Sequence, residues 1–238
     1  MKLANNLRKK VSELWELREK KQALWTILEI TLIGVWAAWV CHEYLHFNPR
    51  IVPFGREFGS SIQTHHLWTR FKDCGWCALW NGSVNGGYPA FVDVHGSMLH
   101  PLVALFTLLF GVLNGAKIVL FFSFWTAGIA QWWIARKMNL GRLSRCWAAG
   151  IVIVGGHLGG RMELGAFGVL LSTAMSSLVI VGILAVAQGG GKKAAVLLGF
   201  FTASAILSGQ GYMQLGLAGT LLAFPILLLD RHLNLKPI

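Results

Sequence analysis

Charged side chains are sparse in this chain, and a few of them have the types and positions that group-transfer chemistry uses. Glu57 and Asp93 lie in a polar segment between two apolar stretches, where a carboxylate can act as a general base. His157 and Arg161 follow a later apolar stretch, and Arg56 precedes Glu57. Because a guanidinium binds phosphate oxygens through two parallel hydrogen bonds, these cations are candidates for phosphate recognition.

Several of these residues also have structural interpretations. Acids in a polar loop are commonly solvated surface residues. Arg161 and Glu163 could pair with each other at a helix end, and His157, which lies among glycines, could cap a helix. Glu29 lies inside the first apolar stretch, where a carboxylate is a functional candidate by default. We favour the interpretation in which Glu29 snorkels or pairs with a neighbouring helix.

Cysteine and histidine spacing gives weaker signals. Cys74 and Cys77 form a C-x-x-C pair, for which we expect a local disulfide because nothing nearby predicts a thioredoxin-like strand and helix. Four histidines of the same polar segment are possible metal ligands: His65, His66, His95 and His100. Adjacent histidines point apart and no helical ligand spacing is present, so a metal–histidine site is not expected.

The composition places the chain in a membrane. It is 55% hydrophobic and only 13% charged over 238 residues, with a mean hydropathy of +0.56, whereas soluble domains are about 25% charged. Its net charge of +11 does not indicate nucleic-acid binding, because the basic residues cluster between apolar stretches. Collagen-like, disordered and soluble nucleic-acid-binding classes are excluded, and an all-α polytopic membrane protein is predicted.

Seven apolar stretches are candidates for membrane spans, which need about 20 residues each. They are Leu24 to about Glu43, Ser97–Val112, Ala116–Ala135, Cys146–Leu158, Gly165–Val186, Ala194–Ser208 and Leu215–Leu229. If Ser97–Val112 lies at the outer surface, most basic residues fall on the cytoplasmic side, as the positive-inside rule requires. We therefore predict about six transmembrane helices, with the N-terminus cytoplasmic and an outer loop over 44–115.

Two further predictions concern the ends of the helices. Residues 1–23 carry apolar side chains at helical spacing among basic ones, which predicts an amphipathic cytoplasmic or interfacial helix preceding a transmembrane core over 24–238. The stretches Cys146–Leu158 and Ala194–Ser208 are short for a hydrocarbon layer about 30 Å thick. Their outer ends would then lie below the outer interface and line a polar cavity.

The outer loop carries a specific resemblance. The order Leu79-Trp80-Asn81, Gly86-Gly87-Tyr88-Pro89, Asp93 and then a helix led by Pro101 resembles YfhO-like bacterial membrane glycosyltransferases of the GT-C fold. Three later segments are similar in the same order: the basic turn 135–145, the glycine-rich 155–161 and the segment 207–214. The resemblance covers about residues 25–230 and implies juxtamembrane helices in the outer loop.

This resemblance implies transfer of a sugar from a polyprenyl-phosphate donor at the outer face of a bacterial cytoplasmic (inner) membrane. By this resemblance, Glu57 and Asp93 of this chain would be the catalytic acids. The donor phosphate would be bound by His157, Arg161 and Arg56. The acceptor or the cavity would involve Asn81, Gln210 and Tyr212. A divalent cation, Mg²⁺ or Mn²⁺, held by Glu57 and Asp93 would be an optional cofactor.

A second hypothesis is that the chain has the GT-C fold but does not catalyse sugar transfer. Glu57 replaces the Asp that is more common in the family, and Gln210 replaces a family histidine. A non-catalytic GT-C-derived subunit, packed among other membrane subunits, is therefore the alternative, since a fold does not imply an activity.

The charge distribution generates a topology prediction. A cysteine introduced as Gly141→Cys, in the basic turn, should react with a membrane-impermeant thiol reagent only from the cytoplasmic side. Labelling from the outer side would restore seven spans and contradict the assignment of Ser97–Val112.

Overall fold

The computed structural model describes residues 2–82, 86–92 and 95–229, with only the backbone described for residues 2–20, 91, 212 and 223–229. This part of the chain is almost entirely α-helical, as predicted. Its helices are α1 (Lys2–Val40), α2 (Phe58–Ser61), α3 (His66–Cys74), α4 (Pro101–Lys137), α5 (Arg142–Val154), α6 (Gly156–Leu164), α7 (Phe167–Ala187), α8 (Gly191–Leu207) and α9 (Gly211–Leu229). Helix α1 is continuous through residue 23, where the sequence analysis places a boundary.

Short elements fill the segment between α1 and α4. Four 3₁₀ turns cover His42–Tyr44, Gln63–His65, Gly75–Leu79 and Ala90–Val92. Strands β1 (Trp80–Asn81) and β2 (Tyr88–Pro89) pair antiparallel, with Trp80 opposite Pro89 and Asn81 opposite Tyr88. The segment thus forms a compact layer over one end of the helices.

Within the described residues, three helices are long and apolar enough to cross a membrane: Lys21–Val40, Pro101–Lys137 and Phe167–Ala187. Helix α7 is the central one, because 61% of its apolar window is buried inside the protein, whereas the corresponding share in α1 is 17%. A helix that is apolar on all sides and buried by its neighbours belongs in the centre of a bundle. The chain is therefore a helical membrane protein.

Helix α4 is two helices joined at a reversal. Gly111 has a φ of 77° and a ψ of 175°, outside the helical region, and it divides α4 into limbs 101–110 and 112–137. The Phe106 and Phe122 rings stack with their centroids 5.1 Å apart, although 16 residues of straight helix would separate them by about 24 Å. The first limb therefore folds back along the second.

Polar contacts at the helix ends show that neighbouring helices alternate in direction. Near the start of the apolar part of α1, Trp132 Nε1 donates to Glu29 Oε2 at 2.7 Å, which places the end of α4 beside it. Gln188, at the end of α7, donates to the Lys137 carbonyl oxygen at 3.1 Å. At the opposite end, Ser97 Oγ donates to the carbonyl oxygen of Ser208, which follows α8.

These contacts define two ends of the bundle, which we call the basic end and the loop end. The basic end carries Lys21, Arg136, Lys137, Arg142, Arg145, Lys192 and Lys193. The loop end carries the layer formed by the described residues 41–82, 86–92 and 95–100, together with α6 and the α6–α7 junction.

A buried lysine fastens the loop end to α4. Lys117, at 1% exposure, donates from Nζ to the carbonyl oxygens of His46 and Asn48, at 2.6 and 2.9 Å. A buried charge requires hydrogen-bond partners, and backbone oxygens rather than a carboxylate supply them to this ammonium group. The chain just after α1 is held against the second limb of α4.

The loop layer also meets the bundle through two glycines. Gly165 ends α6 in the left-handed conformation with a φ of 81°, while the following N–H groups donate back into the last turn of the helix. A Cβ on Gly55 would lie 2.7 Å from the Gly165 Cα, so only glycine allows this backbone approach. The contact sets the position of Arg56 and Glu57 against α6.

We predict that Gly165→Ala lowers the free energy of unfolding by about 1–3 kcal/mol, because alanine is strained in the left-handed region and its Cβ would meet the Phe58 nitrogen. The measurement is reversible unfolding in detergent micelles. Gly159→Ala, on the same helix with open space around its Cβ, is the matched control and should be neutral or stabilising by about 0.5–1 kcal/mol. Equal losses in both variants would contradict the role given to Gly165.

Candidate functional site

A cleft of about 760 Å³ opens at the loop end. Its lining combines two carboxylates, one guanidinium, a phenol and an aromatic ring: Glu43, Glu163, Arg56, Tyr44 and Phe54, with backbone of Gly160 and Leu164 beside them. Residues that are far apart in the sequence meet here, which is typical of a binding or catalytic site.

Each wall of the cleft has its own structural origin. Glu43 and Tyr44 belong to the 3₁₀ turn that immediately follows α1. Glu163 lies in the last turn of α6, which Gly165 terminates. Arg56 follows Gly55 and is delivered to α6 by the contact between the two glycines.

The electrostatic state of Tyr44 reflects both acids. Burial raises the pKa of its hydroxyl group, and the negative charges of Glu163 and then Glu43 raise it further. Tyr44 therefore keeps its proton at neutral pH and can donate a hydrogen bond within the cleft. Both carboxylates are therefore close enough to Tyr44 to affect the ionisation of its hydroxyl group.

The cations of the cleft region are not neutralised by direct contact. Among the side chains that the structure describes, the one ion pair within 4.0 Å joins Arg142 to Glu29, at the basic end. Arg161 and Glu163 do not form the pair that the sequence left open. Arg56 and Arg161 are both exposed and accessible to an anionic group.

The two predicted catalytic acids are placed differently. Glu57 is exposed and does not line the cleft, although its backbone N–H donates to the Leu164 carbonyl oxygen at 2.9 Å. Asp93 lies outside the described residues. Their joint action as base or metal ligands stays a prediction.

Of the three cations predicted to bind phosphate, Arg56 lines the cleft, while His157 and Arg161 lie on exposed faces of α6. A ring nitrogen of His157 lies 3.3 Å from Thr173 Oγ1 on α7. Gly155 is the N-cap residue of α6 and makes no side-chain cap, so His157 does not have the capping position that the alternative gave it.

The predicted acceptor residues Asn81 and Gln210 are buried, and neither lines the cleft. Asn81 is fully buried in the β hairpin, where its Nδ2 donates to the Tyr88 hydroxyl at 3.3 Å. Gln210 is buried at the loop end, and its Nε2 lies 2.6 Å from where a Cβ on Gly168 would be. The side chain of Tyr212 lies outside the described part of the chain.

Cys74 and Cys77 are joined as a disulfide, with their Cα atoms 5.5 Å apart. The bridge links the end of α3 to the 3₁₀ turn Gly75–Leu79 and lies beside a small pocket near Trp80, not at the cleft. Its position indicates a structural role in the loop layer.

The described residues of the cleft offer few metal ligands. Within residues 2–82, 86–92 and 95–229, no group of three or more histidine, cysteine or acidic side chains could hold a metal ion. Glu43 and Glu163 would supply two carboxylates at most, and the predicted cation between Glu57 and Asp93 depends on a residue outside this range. No step is therefore assigned to a metal.

A buried polar layer that the sequence did not predict lies at the base of the loop. Its members are Thr64, His65, Ser97, His100 and Ser208, each at most 2% exposed. A ring nitrogen of His65 lies 2.6 Å from the Gly96 carbonyl oxygen, and Ser97 Oγ lies 2.6 Å from that of Ser208. The only signal in the sequence was the density of histidines in the outer loop.

Comparison with known proteins gives no neighbour: no protein-family model, curated protein or solved structure matches this chain. The fold and site define an all-α membrane protein with a charged cleft at one end.

We predict a pH-dependent stability from His100. Its Nδ1 accepts from the Leu102 N–H at 3.2 Å as the cap of α4, and burial lowers its pKa from 6.5 to about 4. Between these values the unfolded chain binds a proton that the folded chain does not, so stability falls as the pH falls.

The expected loss is about 2–3 kcal/mol between pH 7 and pH 4. His100→Asn keeps a capping oxygen and removes the titration, so its stability should fall less over the same range. Unfolding in detergent at both pH values measures the difference. Parallel pH profiles for the two proteins would rule out the His100 contribution.

Proposed function

We propose that this chain is a GT-C-type membrane glycosyltransferase that moves a sugar from a polyprenyl phosphate to an acceptor at the loop end. The observation that carries the proposal is the cleft, in which an exposed guanidinium and two carboxylates lie next to an exposed apolar rim. An anionic head group on an apolar tail is the ligand that such a combination suits.

The apolar rim is formed by the chain between α1 and the cleft. Phe54 is 81% exposed and also lines the cleft, and Phe47, Ile51 and Val52 are exposed beside it in the sequence. Exposed aromatic and aliphatic groups next to a charged pocket are typical of a surface that receives lipid. A polyprenyl tail would lie along this rim while its phosphate faces Arg56.

The proposal includes a six-span topology. Helices α1, α5 and α8 run towards the loop end, while the second limb of α4, α7 and α9 run away from it. The positive-inside rule then places the basic end in the cytoplasm of a bacterial inner membrane and the cleft at the outer face.

The chemistry follows from the charges. The acceptor hydroxyl oxygen attacks the anomeric carbon, and the bond from that carbon to the phosphate oxygen breaks, with its electron pair leaving on the phosphate. A carboxylate of Glu163 or Glu43 takes the hydroxyl proton. Arg56 stabilises the charge that develops on the phosphate, and the protonated Tyr44 can donate a hydrogen bond to it.

A non-catalytic GT-C-derived subunit is the second candidate. The exposure of Glu57 favours it, because the position that resembles the family's acid lies outside the cleft. Gln210 points the same way, because it is buried and does not line the cleft. The two candidates differ in whether the cleft acids affect turnover.

The test is the release of polyprenyl phosphate from a panel of polyprenyl-phosphate hexoses and pentoses by the purified protein in nanodiscs. Glu163→Gln and Glu43→Gln should each reduce the rate by about 100-fold or more if they act as base or orient it. Arg56→Gln should weaken donor binding. Asp73→Asn, an exposed acid on α3 away from the cleft, is the matched control and should keep full activity.

Folding must be intact in every variant, which exposed isosteric changes allow because they cost little stability. If turnover survives both acid substitutions, the carboxylates of the cleft have no catalytic role. Absence of turnover with every donor would favour the non-catalytic subunit.

A further inference from the structure

A second cavity lies at the basic end, on the far side of the bundle from the cleft, and has a volume of about 260 Å³. We call it the arginine cavity, and the residues used here are Trp25, Thr26, Glu29, Arg136, Arg142 and Arg145. They come from the first turns of the apolar part of α1, the last turn of α4 and the start of α5. The arginine cavity therefore lies where α4 ends and α5 begins, beside α1.

The charges of the arginine cavity do not balance. Glu29, at 5% exposure, is the carboxylate among its described lining residues, and its Oε1 lies 3.7 Å from Arg142 Nε. Arg136 donates instead to the Thr26 hydroxyl at 3.3 Å, and Arg145 donates to the Leu140 carbonyl oxygen at 2.7 Å. Among the side chains that the structure describes, two guanidinium groups thus face the cavity without an acid within 4.0 Å.

Aromatic rings contact two of the three guanidinium groups of the cavity, those of Arg142 and Arg136. The Arg142 guanidinium lies 4.7 Å from the Trp25 ring centroid, and that of Arg136 lies 5.3 Å from the Trp132 ring centroid. Glu29 in turn fixes Trp132 through the indole N–H. Stacked arginines lose little freedom when an anion binds, and tryptophan is the residue that collects at the membrane interface.

A larger groove continues from the arginine cavity. It has a volume of about 700 Å³, and Thr26, Arg136 and Asn139 line both spaces. One wall is apolar, formed by Ile30, Ile129, Trp132 and Trp133, while Lys137 and Gln188 add polar groups. A cationic compartment that opens into a groove with an apolar wall complements a molecule with an anionic head and a hydrocarbon chain.

We propose that the basic end binds an anionic glycerophospholipid, with its phosphate in the arginine cavity and an acyl chain in the groove. Two guanidinium groups that have no carboxylate partner among the described side chains match the phosphate oxygens, and basic pockets between helices at the cytoplasmic side suit such head groups. The proposal is independent of the activity at the loop end. It also differs from general attraction of basic residues to the membrane, because it requires particular arginines.

The test uses the full chain in neutral detergent with added phosphatidylglycerol, phosphatidylcholine or inorganic phosphate. Phosphatidylglycerol should appear as one retained lipid in native mass spectrometry and should raise the melting temperature, because a ligand of the folded state stabilises it. Phosphatidylcholine should do neither. Inorganic phosphate that matched phosphatidylglycerol in stabilisation would show a phosphate site without a lipid and overturn the proposal.

Charge-matched variants distinguish the cavity from the basic surface. Arg136→Gln with Arg145→Gln should weaken phosphatidylglycerol binding by about tenfold or more, whereas Lys192→Gln with Lys193→Gln removes the same charge outside the cavity and should leave it unchanged. Ile129→Trp, which fills the groove without changing charge, should also reduce lipid retention. Equal losses in the arginine and lysine pairs would overturn the proposal, as would full retention in the arginine pair.

Discussion

The site at the loop end depends on the contact between the backbones of Gly55 and Gly165. It joins a loop that follows the first helix to the junction of two helices more than a hundred residues later. Because neither position has room for a Cβ, the loop and α6 approach closely enough for Arg56 and Glu163 to line one cleft. Without this contact the charges of the cleft would belong to separate surfaces.

Charged side chains are stabilised differently at the two ends of the bundle. At the basic end the buried Glu29 holds an indole and an arginine, and aromatic rings hold the guanidinium groups. At the loop end the charges are exposed, and backbone carbonyl oxygens satisfy the one deeply buried ammonium described there, that of Lys117. The charged groups at the basic end are thus held in place by their neighbours, whereas those of the cleft are open to solvent.

Much of the helical architecture could be predicted from the sequence, because apolar stretches report burial in lipid or protein directly. The sequence also divides this region into the apolar stretches Ser97–Val112 and Ala116–Ala135, and the helix breaks at Gly111, near the end of the first stretch. The cleft could not be predicted, since Glu43 and Glu163 have no shared motif and meet Arg56 only through tertiary contacts. The His65–His100 region was similarly ambiguous, because a buried histidine and a ligand look alike in a sequence.

The hydrogen bonds of Lys117 connect two parts of the loop end. Its ammonium group binds the chain at His46 and Asn48, directly after the turn that carries Glu43 and Tyr44. The second limb of α4 and that wall of the cleft are therefore mechanically coupled. A displacement of α4 along its axis would carry Glu43 and Tyr44 with it and would change the width of the cleft.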